Sequence, residues 1–296
     1  MPASRLRAGA VLAAGLAGFA VGTEFRGPHP PGTPSFVRAI GAVDDLPESL
    51  RLAFAPGPGF APVSRPAERG QSFAGYVRSG PNRATPERRR VLLVPLGGRE
   101  IGPEELLPLA EYAERFFGVA SAVEPAMGLV PLARFFRRDG STGEPYLDTT
   151  ALLDLLAARV PADACSVIAV TRLALGSKSK AALAGEASLR TRAGVASLSA
   201  AGFRRDAMVL THEIAHTLGI PHCVHYRCLM NEGGASGKPM HLCPVCLRKL
   251  NHATGVDPVE RYRRLLDAYR TAGLDDEAEW TDERVREIDR GVSPGR

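Results

Sequence analysis

The residues that could do chemistry are concentrated in one stretch, "LTHEIAHTLGIPHCVHYRCLMNEGG", residues 210–234. It holds four of the seven histidines in the 296-residue chain and two of its five cysteines: His212, His216, His222, His225, Cys223 and Cys228. Imidazole and thiolate groups are the usual protein ligands of zinc. The stretch therefore predicts a metal site, and its number of ligands raises the question of one metal or two.

The first two histidines have the spacing of a helical zinc motif. Residues four apart on a helix lie on one face, one turn apart, so His212 and His216 can bind one zinc from a rigid element. Glu213, offset by about 100° on that helix, can reach a water at the metal without being a ligand. This pattern is typical of zinc peptidases, but alone it is only moderately specific.

A third histidine strengthens the prediction. Gly219 can adopt a positive φ that ends the helix, and Pro221 discourages its continuation. His222 then follows and can close a three-histidine site. Three imidazoles leave zinc an open position for water, and Glu213 would serve as general base during attack on a carbonyl. The chemistry predicted is hydrolysis of peptide bonds.

The cysteines predict a second metal. Cys223, Cys228, Cys243 and Cys246 follow the spacing C-x4-C-x14-C-x2-C. Two close pairs separated by a short loop favour a tetrahedral thiolate zinc site. Two disulfides are the alternative if the protein is exported. The fifth cysteine, Cys165, lies in an apolar strand pattern and is predicted to be a buried free thiol.

The sequence does not assign a single role to three neighbouring residues. Met230 is a candidate for a tight turn beneath the three-histidine zinc, with an ordinary core methionine as the alternative. His225 has no assigned role, and a surface or supporting position is the default. His241, beside Cys243, has the same default, because four cysteines already suffice for a zinc.

Composition limits the class of protein. With 45% apolar residues the chain can form one large domain, or one domain with an appendage. Net charge is +5, but no basic run is interleaved with aromatic residues, so nucleic acid is not an expected partner. Residues 1–22 combine Arg5 and Arg7 with a small-apolar run, which predicts a signal peptide, or else an uncleaved membrane anchor or a disordered tail. The protein is therefore expected to be exported or anchored, rather than cytoplasmic.

The sequence alternates between strand and helix patterns, which indicates an α/β core. This core must position the candidate ligands. Residues 23–65 are rich in Pro and Gly and predict a linker or irregular extension. Strands are predicted at 90–97, 119–125 and 165–171, and two short ones within 185–199. Helices are predicted from about Leu107 to Phe117, at 148–160 with Asp148 as N-cap, and at 204–218. Two charged amphipathic helices follow within 251–296.

The run "HEIAHTLGIPHC", then "CLM", then "CPVC", resembles the signature of the archaemetzincins, a metzincin family of zinc metallopeptidases. "GQSF" (70–73), "VPLG" (94–97), "GEA" (185–187) and "ASLS" (196–199) are similar to landmarks of that family. The resemblance covers about residues 66–250, including a zinc element at 223–250. It implies an α/β (α+β) metzincin-like catalytic domain with a small mixed sheet, an active-site helix and a four-cysteine zinc element.

The resemblance also implies a role for each site residue. His212, His216 and His222 would bind catalytic zinc, Glu213 would be the base, Met230 would form the Met-turn, and Gly219 would end the helix. Cys223, Cys228, Cys243 and Cys246 would hold structural zinc. The cofactors implied are two zinc ions, the partner is a peptide or protein substrate, and an aminopeptidase is one form of the activity implied.

The sequence leaves three points open. The gap between the second and third cysteines is about five residues shorter than in the family pattern, and the shortening falls in "NEGGASGKPMH", near the expected substrate side. In metzincins an edge strand binds extended substrate, and 185–190 is the best candidate here, with Arg190 and Arg192 either contacting substrate or simply solvated. The alternative function is a zinc-stabilised binding module with little or no hydrolytic activity.

Overall fold

The computed structural model describes residues 35–57, 59–63, 70–97, 101–128, 130–177, 182–199, 201–233 and 237–292. The predicted signal peptide or anchor, residues 1–22, lies outside these ranges and stays a prediction. Within them, none of the helices has both the length and the apolar character needed to cross a bilayer.

The elements alternate as the sequence predicts, with short helices added before the first strand. In chain order they are α1 (Ser35–Ile40), α2 (Glu48–Ala53), α3 (Phe73–Arg78), β1 (Arg90–Pro95), α4 (Pro103–Phe117), β2 (Ala120–Val123), a 3₁₀ helix (Val130–Phe135), β3 (Phe136–Arg138), β4 (Pro145–Asp148), α5 (Thr149–Ala157), β5 (Ala164–Thr171), β6 (Leu175–Gly176), β7 (Gly185–Ala187), β8 (Ala193–Ser197), α6 (Phe203–Thr217), α7 (Pro244–Thr254), α8 (Pro258–Thr271) and α9 (Asp275–Val292). The mixed α/β class is confirmed.

A five-stranded sheet in the order β2-β1-β5-β8-β7 forms the centre. The first four strands are parallel, and β7 pairs antiparallel with β8 at one edge. Every residue of β5 is buried, which explains its continuous apolar run, since a parallel strand is covered on both faces. Ile168 of β5 packs with α4 and α6, whereas Ala169 packs on the other face with α5. A smaller sheet, β3-β4-β6, lies apart from it.

The predicted start of α4 near Leu107 is wrong. The helix begins at Pro103 and contains Pro108 in its second turn. Pro108 removes only the hydrogen bond that would end on the Glu104 carbonyl, and both residues are exposed, so water can replace that bond. The predicted end is confirmed: Gly118 takes a left-handed φ of 64°.

The regions on either side of the resemblance pack into the same body. Arg284 of α9 is buried and donates to the carbonyls of Leu52, Ala53 and Ala55 at the end of α2. Trp280 of α9 stacks on His241 with ring centroids 3.7 Å apart. The N-terminal helices, the cysteine segment and the C-terminal helices therefore share one core.

Candidate metal centres and active-site cleft

Helix α6 carries the first two histidines and Glu213, as the sequence predicts. It is buried along most of its length between the large sheet and α4. Gly219 then adopts a φ of 77°, and the space beside it is filled by Pro81, 2.9 Å from where a Cβ would lie. A side chain here would be strained by its φ and would clash. The turn brings His222 back to the histidines of the helix.

The three imidazoles converge with their ring nitrogens prepared for a metal. The Nδ1–H of His212 donates to the Leu229 carbonyl at 3.0 Å, and that of His216 donates to the Ile220 carbonyl at 2.8 Å. When the rings are neutral, these bonds leave an unshared lone pair on each Nε2 atom. The two Nε2 atoms are 3.0 Å apart. Burial, above other causes, lowers the pKa of both rings, that of His216 to about 4, so both are neutral at pH 7.

This arrangement fits zinc. One nitrogen from each of His212, His216 and His222 lies within 4.8 Å of the other two. Tetrahedral zinc with bonds of about 2.0–2.1 Å places its nitrogen ligands about 3.3 Å apart. Two facing lone pairs 3.0 Å apart would repel without a cation between them. The backbone carbonyls that orient the rings are the outer support usual for metal-binding histidines.

Glu213 lies at the floor of the site and is only 5% exposed. Its Oε2 atom is buried and has no hydrogen-bond partner among the described residues. Burial raises the pKa of this carboxyl to about 8, and the nearby charge of Glu186 contributes, while Lys238 opposes the shift. A carboxyl with a raised pKa and an unused buried oxygen is suited to exchange a proton with a ligand in the cleft.

The four cysteines form the second cluster that the sequence predicts. Their sulfurs lie within 4.8 Å of one another, those of Cys223 and Cys243 are 3.6 Å apart, and all four are buried. Tetrahedral zinc with Zn–S bonds of about 2.3 Å separates its sulfurs by about 3.8 Å, whereas a disulfide needs about 2.05 Å. Every cysteine is a free thiol, so the disulfide alternative is not the arrangement found. Hydrogen bonds from neighbouring thiols hold the pKa of Cys223 far below its usual range. The largest effect comes from Cys228, and smaller ones come from Cys243 and Cys246.

A tight turn, for which the sequence offers Met230 as a candidate, connects the two clusters. The Asn231 N–H donates to the Cys228 carbonyl at 3.1 Å, so Leu229 and Met230 are the central residues of the turn. The Leu229 carbonyl holds His212, and the Met230 carbonyl accepts from the Cys223 N–H at 2.7 Å. Met230 is fully buried within this turn.

Asn231 is a supporting residue that motif analysis missed. Its amide donates to the carbonyls of Cys223 and Tyr226, and its side-chain oxygen accepts from the Cys228 N–H. Only the frequency of asparagine in turns pointed to it. The residue closes the loop that starts immediately after His222.

A cleft of about 690 Å³ opens above Glu213. Strand β7 forms one wall, at the sheet edge that the sequence predicts. Because Ser197 N–H donates to Ala184 and Ser188 N–H donates to the Ala193 carbonyl, the antiparallel pattern turns the main-chain groups of Gly185 and Ala187 outward. The opposite wall contains His222, Glu232 and Lys238.

The remaining candidate residues lie outside the cleft. The His225 ring lies beside Gln71 and Gly70, and its carbonyl accepts from the Val63 N–H, so it fastens the N-terminal segment. His241 packs on Trp280 and is not a metal ligand candidate.

The arginines and the fifth cysteine are also distant from the chemistry. Arg192 donates to the Ala164 carbonyl at 2.6 Å, and Arg190 is exposed. Cys165 is a buried thiol, as predicted, and burial raises its pKa to about 11.

The chain is similar to known proteins in sequence and, more weakly, in structure. No family model matches the chain. It is 26% identical to archaemetzincin-2 of Rattus norvegicus over 249 residues, which cover 68% of each chain. Archaemetzincin-1 of Homo sapiens is 42% identical over 85 residues, 27% of this chain and 17% of that protein. The archaemetzincin structure from Methanopyrus kandleri has 22% identity and a TM-score of 0.47, covering 57% of this chain and 96% of that one.

The α/β fold, the three converging histidines and Glu213 at the floor of a cleft define a zinc metallopeptidase. In sequence the chain is similar to archaemetzincins over 68% of its length.

Proposed function

We propose that this chain hydrolyses peptide bonds, with His212, His216 and His222 binding the catalytic zinc and Glu213 acting as general base. The observation that carries the proposal is the buried Oε2 of Glu213, which has no partner among the described residues. Buried polar atoms are nearly always hydrogen-bonded, so an orphaned carboxylate oxygen beside three converging imidazoles points to a functional group.

Each residue of the site has a task in this proposal. Zinc would supply a Lewis acid that polarises the attacking water and the substrate carbonyl. Glu213 would take the proton of the attacking water and pass it to the leaving amine. The carbonyls of Leu229 and Ile220 would hold the two helical imidazoles in the tautomer that offers Nε2.

Substrate binding would use the open edge of β7. The outward main-chain groups of Gly185 and Ala187 can pair with an extended peptide, which would lie across the cleft above Glu213. The four cysteines would hold a second, structural zinc that fixes the turn supporting His212.

The first test measures metal and activity together. Purified protein should contain about two zinc ions per chain, one for each ligand cluster. It should cleave members of a broad peptide library. Glu213→Gln should reduce cleavage by roughly 10²–10⁴-fold, the loss expected when a general base is removed, while both zinc ions stay bound.

Two comparisons sharpen this test. Peptides with free and with acetylated N-termini should differ strongly if the enzyme is an aminopeptidase, and equal cleavage would exclude that type. If the wild type binds peptides without cleaving any, or if Glu213→Gln cleaves normally, the proposed mechanism is wrong, and the first result favours a binding module.

A further inference from the structure

The wall of the cleft opposite β7 carries a lysine that the proposed chemistry does not use. Lys238 is half-buried and lines the cleft together with His212, Glu213 and Glu232. It lies in the segment whose length departs from the family pattern.

The lysine is held in place by bonds on both sides. Its ammonium group donates to the Asn231 carbonyl, and its own carbonyl accepts from the Arg204 guanidinium at 3.0 Å. Arg204 in turn forms an ion pair of 2.6 Å with Glu277 of α9. The position of the ammonium is therefore set by both the turn and the C-terminal helix.

The ammonium keeps donors available for a ligand. It has three N–H groups, and among the described residues only the Asn231 carbonyl accepts from it. No carboxylate forms an ion pair with it within that part of the chain. Glu232 on the same wall is exposed, so solvent and salt screen its charge more than that of the half-buried lysine. Lys238 is therefore the lysine that the described lining offers to an anionic ligand, beside the carboxyl groups of Glu186, Glu213 and Glu232.

We propose that Lys238 is a specificity-determining residue that binds a carboxylate of the substrate, so that the enzyme selects acidic peptides. The proposal rests on the peptidase function argued above. The carboxylate has two sources, an Asp or Glu side chain near the scissile bond or the C-terminal carboxylate of a short peptide. The side chain is the occupant favoured here, because the β7 edge that lines the cleft suits pairing with an extended peptide.

The experiment uses the zinc-loaded full chain and sets of peptides that differ only by Glu or Gln at one position, each with a free and an amidated C-terminus. At one position the Glu peptide should have a kcat/KM about tenfold above its Gln partner, the effect of one charge-assisted hydrogen bond. The preference should persist with amidated C-termini. Lys238→Gln should remove it, Lys238→Arg should keep it, and Lys238→Glu should favour a lysine at that position.

A matched control separates specificity from loop stability. Arg227 is exposed, lies outside the cleft and donates to the Gly237 carbonyl at 2.9 Å, so Arg227→Gln removes a bond of the same loop without removing a cleft charge. It should keep the Glu preference. An equal fall of kcat on Glu and Gln peptides in Lys238→Gln would instead assign the lysine to transition-state stabilisation and overturn the proposal.

Equilibrium binding distinguishes failure of this proposal from failure of the peptidase function. Fluorescent Glu and Gln peptides are titrated against zinc-loaded Glu213→Gln protein. Tighter binding of the Glu peptide that depends on Lys238 supports the proposal, even if no peptide is cleaved. Equal binding of the two peptides, loss of the preference on C-terminal amidation, or no binding at all contradicts it.

Discussion

At the scale of single residues, Gly185 limits what can stand beside Glu213. A Cβ at this position would lie 2.7 Å from the Cγ and Oε1 atoms of Glu213. Such a contact is too short, so either the strand or the carboxylate must move. Gly185→Ala should lower kcat/KM by roughly 10–100-fold, because a catalytic group displaced by about 1 Å loses much of its effect.

Gly140→Ala is the matched control for this substitution. A Cβ at Gly140 would have nothing within 4 Å, and the residue lies in an exposed turn. Kinetics and zinc content of the two variants are compared. Wild-type kinetics in Gly185→Ala would mean that the Glu213 carboxylate does not need its present position.

The ligand residues could be predicted from the sequence, and their supports could not. Histidine and cysteine spacing reports which side chains are one helical turn or one tight loop apart. Leu229, by contrast, acts through its backbone carbonyl, which any residue provides. Lys238 belongs to no recognisable motif. Its place in the cleft depends on how its loop folds back, which the sequence pattern does not report.

At the scale of elements, the two ligand clusters meet at the His222–Cys223 peptide bond. The Cys223 N–H donates to Met230 and its carbonyl accepts from Asn231, so the four-cysteine element fixes the approach of His222. Cys223→Ser should therefore weaken zinc binding at the histidine cluster as well as at the cysteine cluster. A roughly tenfold loss of apparent affinity at the histidine site is expected, the lower end of effects for outer supports of a metal.

Chelator competition, followed by metal analysis, measures both affinities. Cys165→Ala is the control, because the Cys165 thiol is buried in β5, with 1% of the residue exposed, and belongs to neither cluster. It should leave zinc content at the wild-type level. Retention of the catalytic zinc at full affinity in Cys223→Ser would show that the two sites are independent.

Some secondary-structure elements follow from sequence patterns, and others do not. Continuous apolar runs predict β1 and β5 well, because both faces of a parallel strand are covered. The edge strand β7 is only three residues long, and its partner and direction are set by the pairing with β8, which periodicity does not report. Pro108 was a misleading signal, because its missing hydrogen bond falls on the solvent side of α4.

At the scale of the whole molecule, the N- and C-terminal regions form one structural unit with the catalytic core. Arg284 is 5% exposed, and one of its amino groups contacts three carbonyls at the end of α2. Trp280, one turn earlier on α9, covers His241 beside the cysteine cluster. Composition suggested two extensions, because Pro- and Gly-rich sequence and charged helices carry no sign of what they pack against.

Because the terminal helices share the core, a substitution far from the cleft should lower the stability of the whole molecule. Arg284→Met keeps most of the side-chain volume but leaves the α2 carbonyls without their donor in a buried place. It should lower the free energy of unfolding by about 2–4 kcal/mol, as expected for buried hydrogen bonds to a charged group. Urea unfolding measures the loss, and far-UV circular dichroism and tryptophan fluorescence should report one shared transition, because Trp280 lies in the affected region.

Arg263→Met provides the comparison on the neighbouring helix. Arg263 pairs with Asp289 at 2.9 Å, and both side chains are about half exposed, at 51% and 53%. Loss of such a surface pair should change stability by less than about 1 kcal/mol. Equal effects of the two substitutions, or separate transitions for the two probes in Arg284→Met, would mean that the terminal regions fold independently of the core. A single transition in both variants, with a large loss only for Arg284→Met, would show that the terminal helices unfold together with the core that carries the histidine and cysteine clusters.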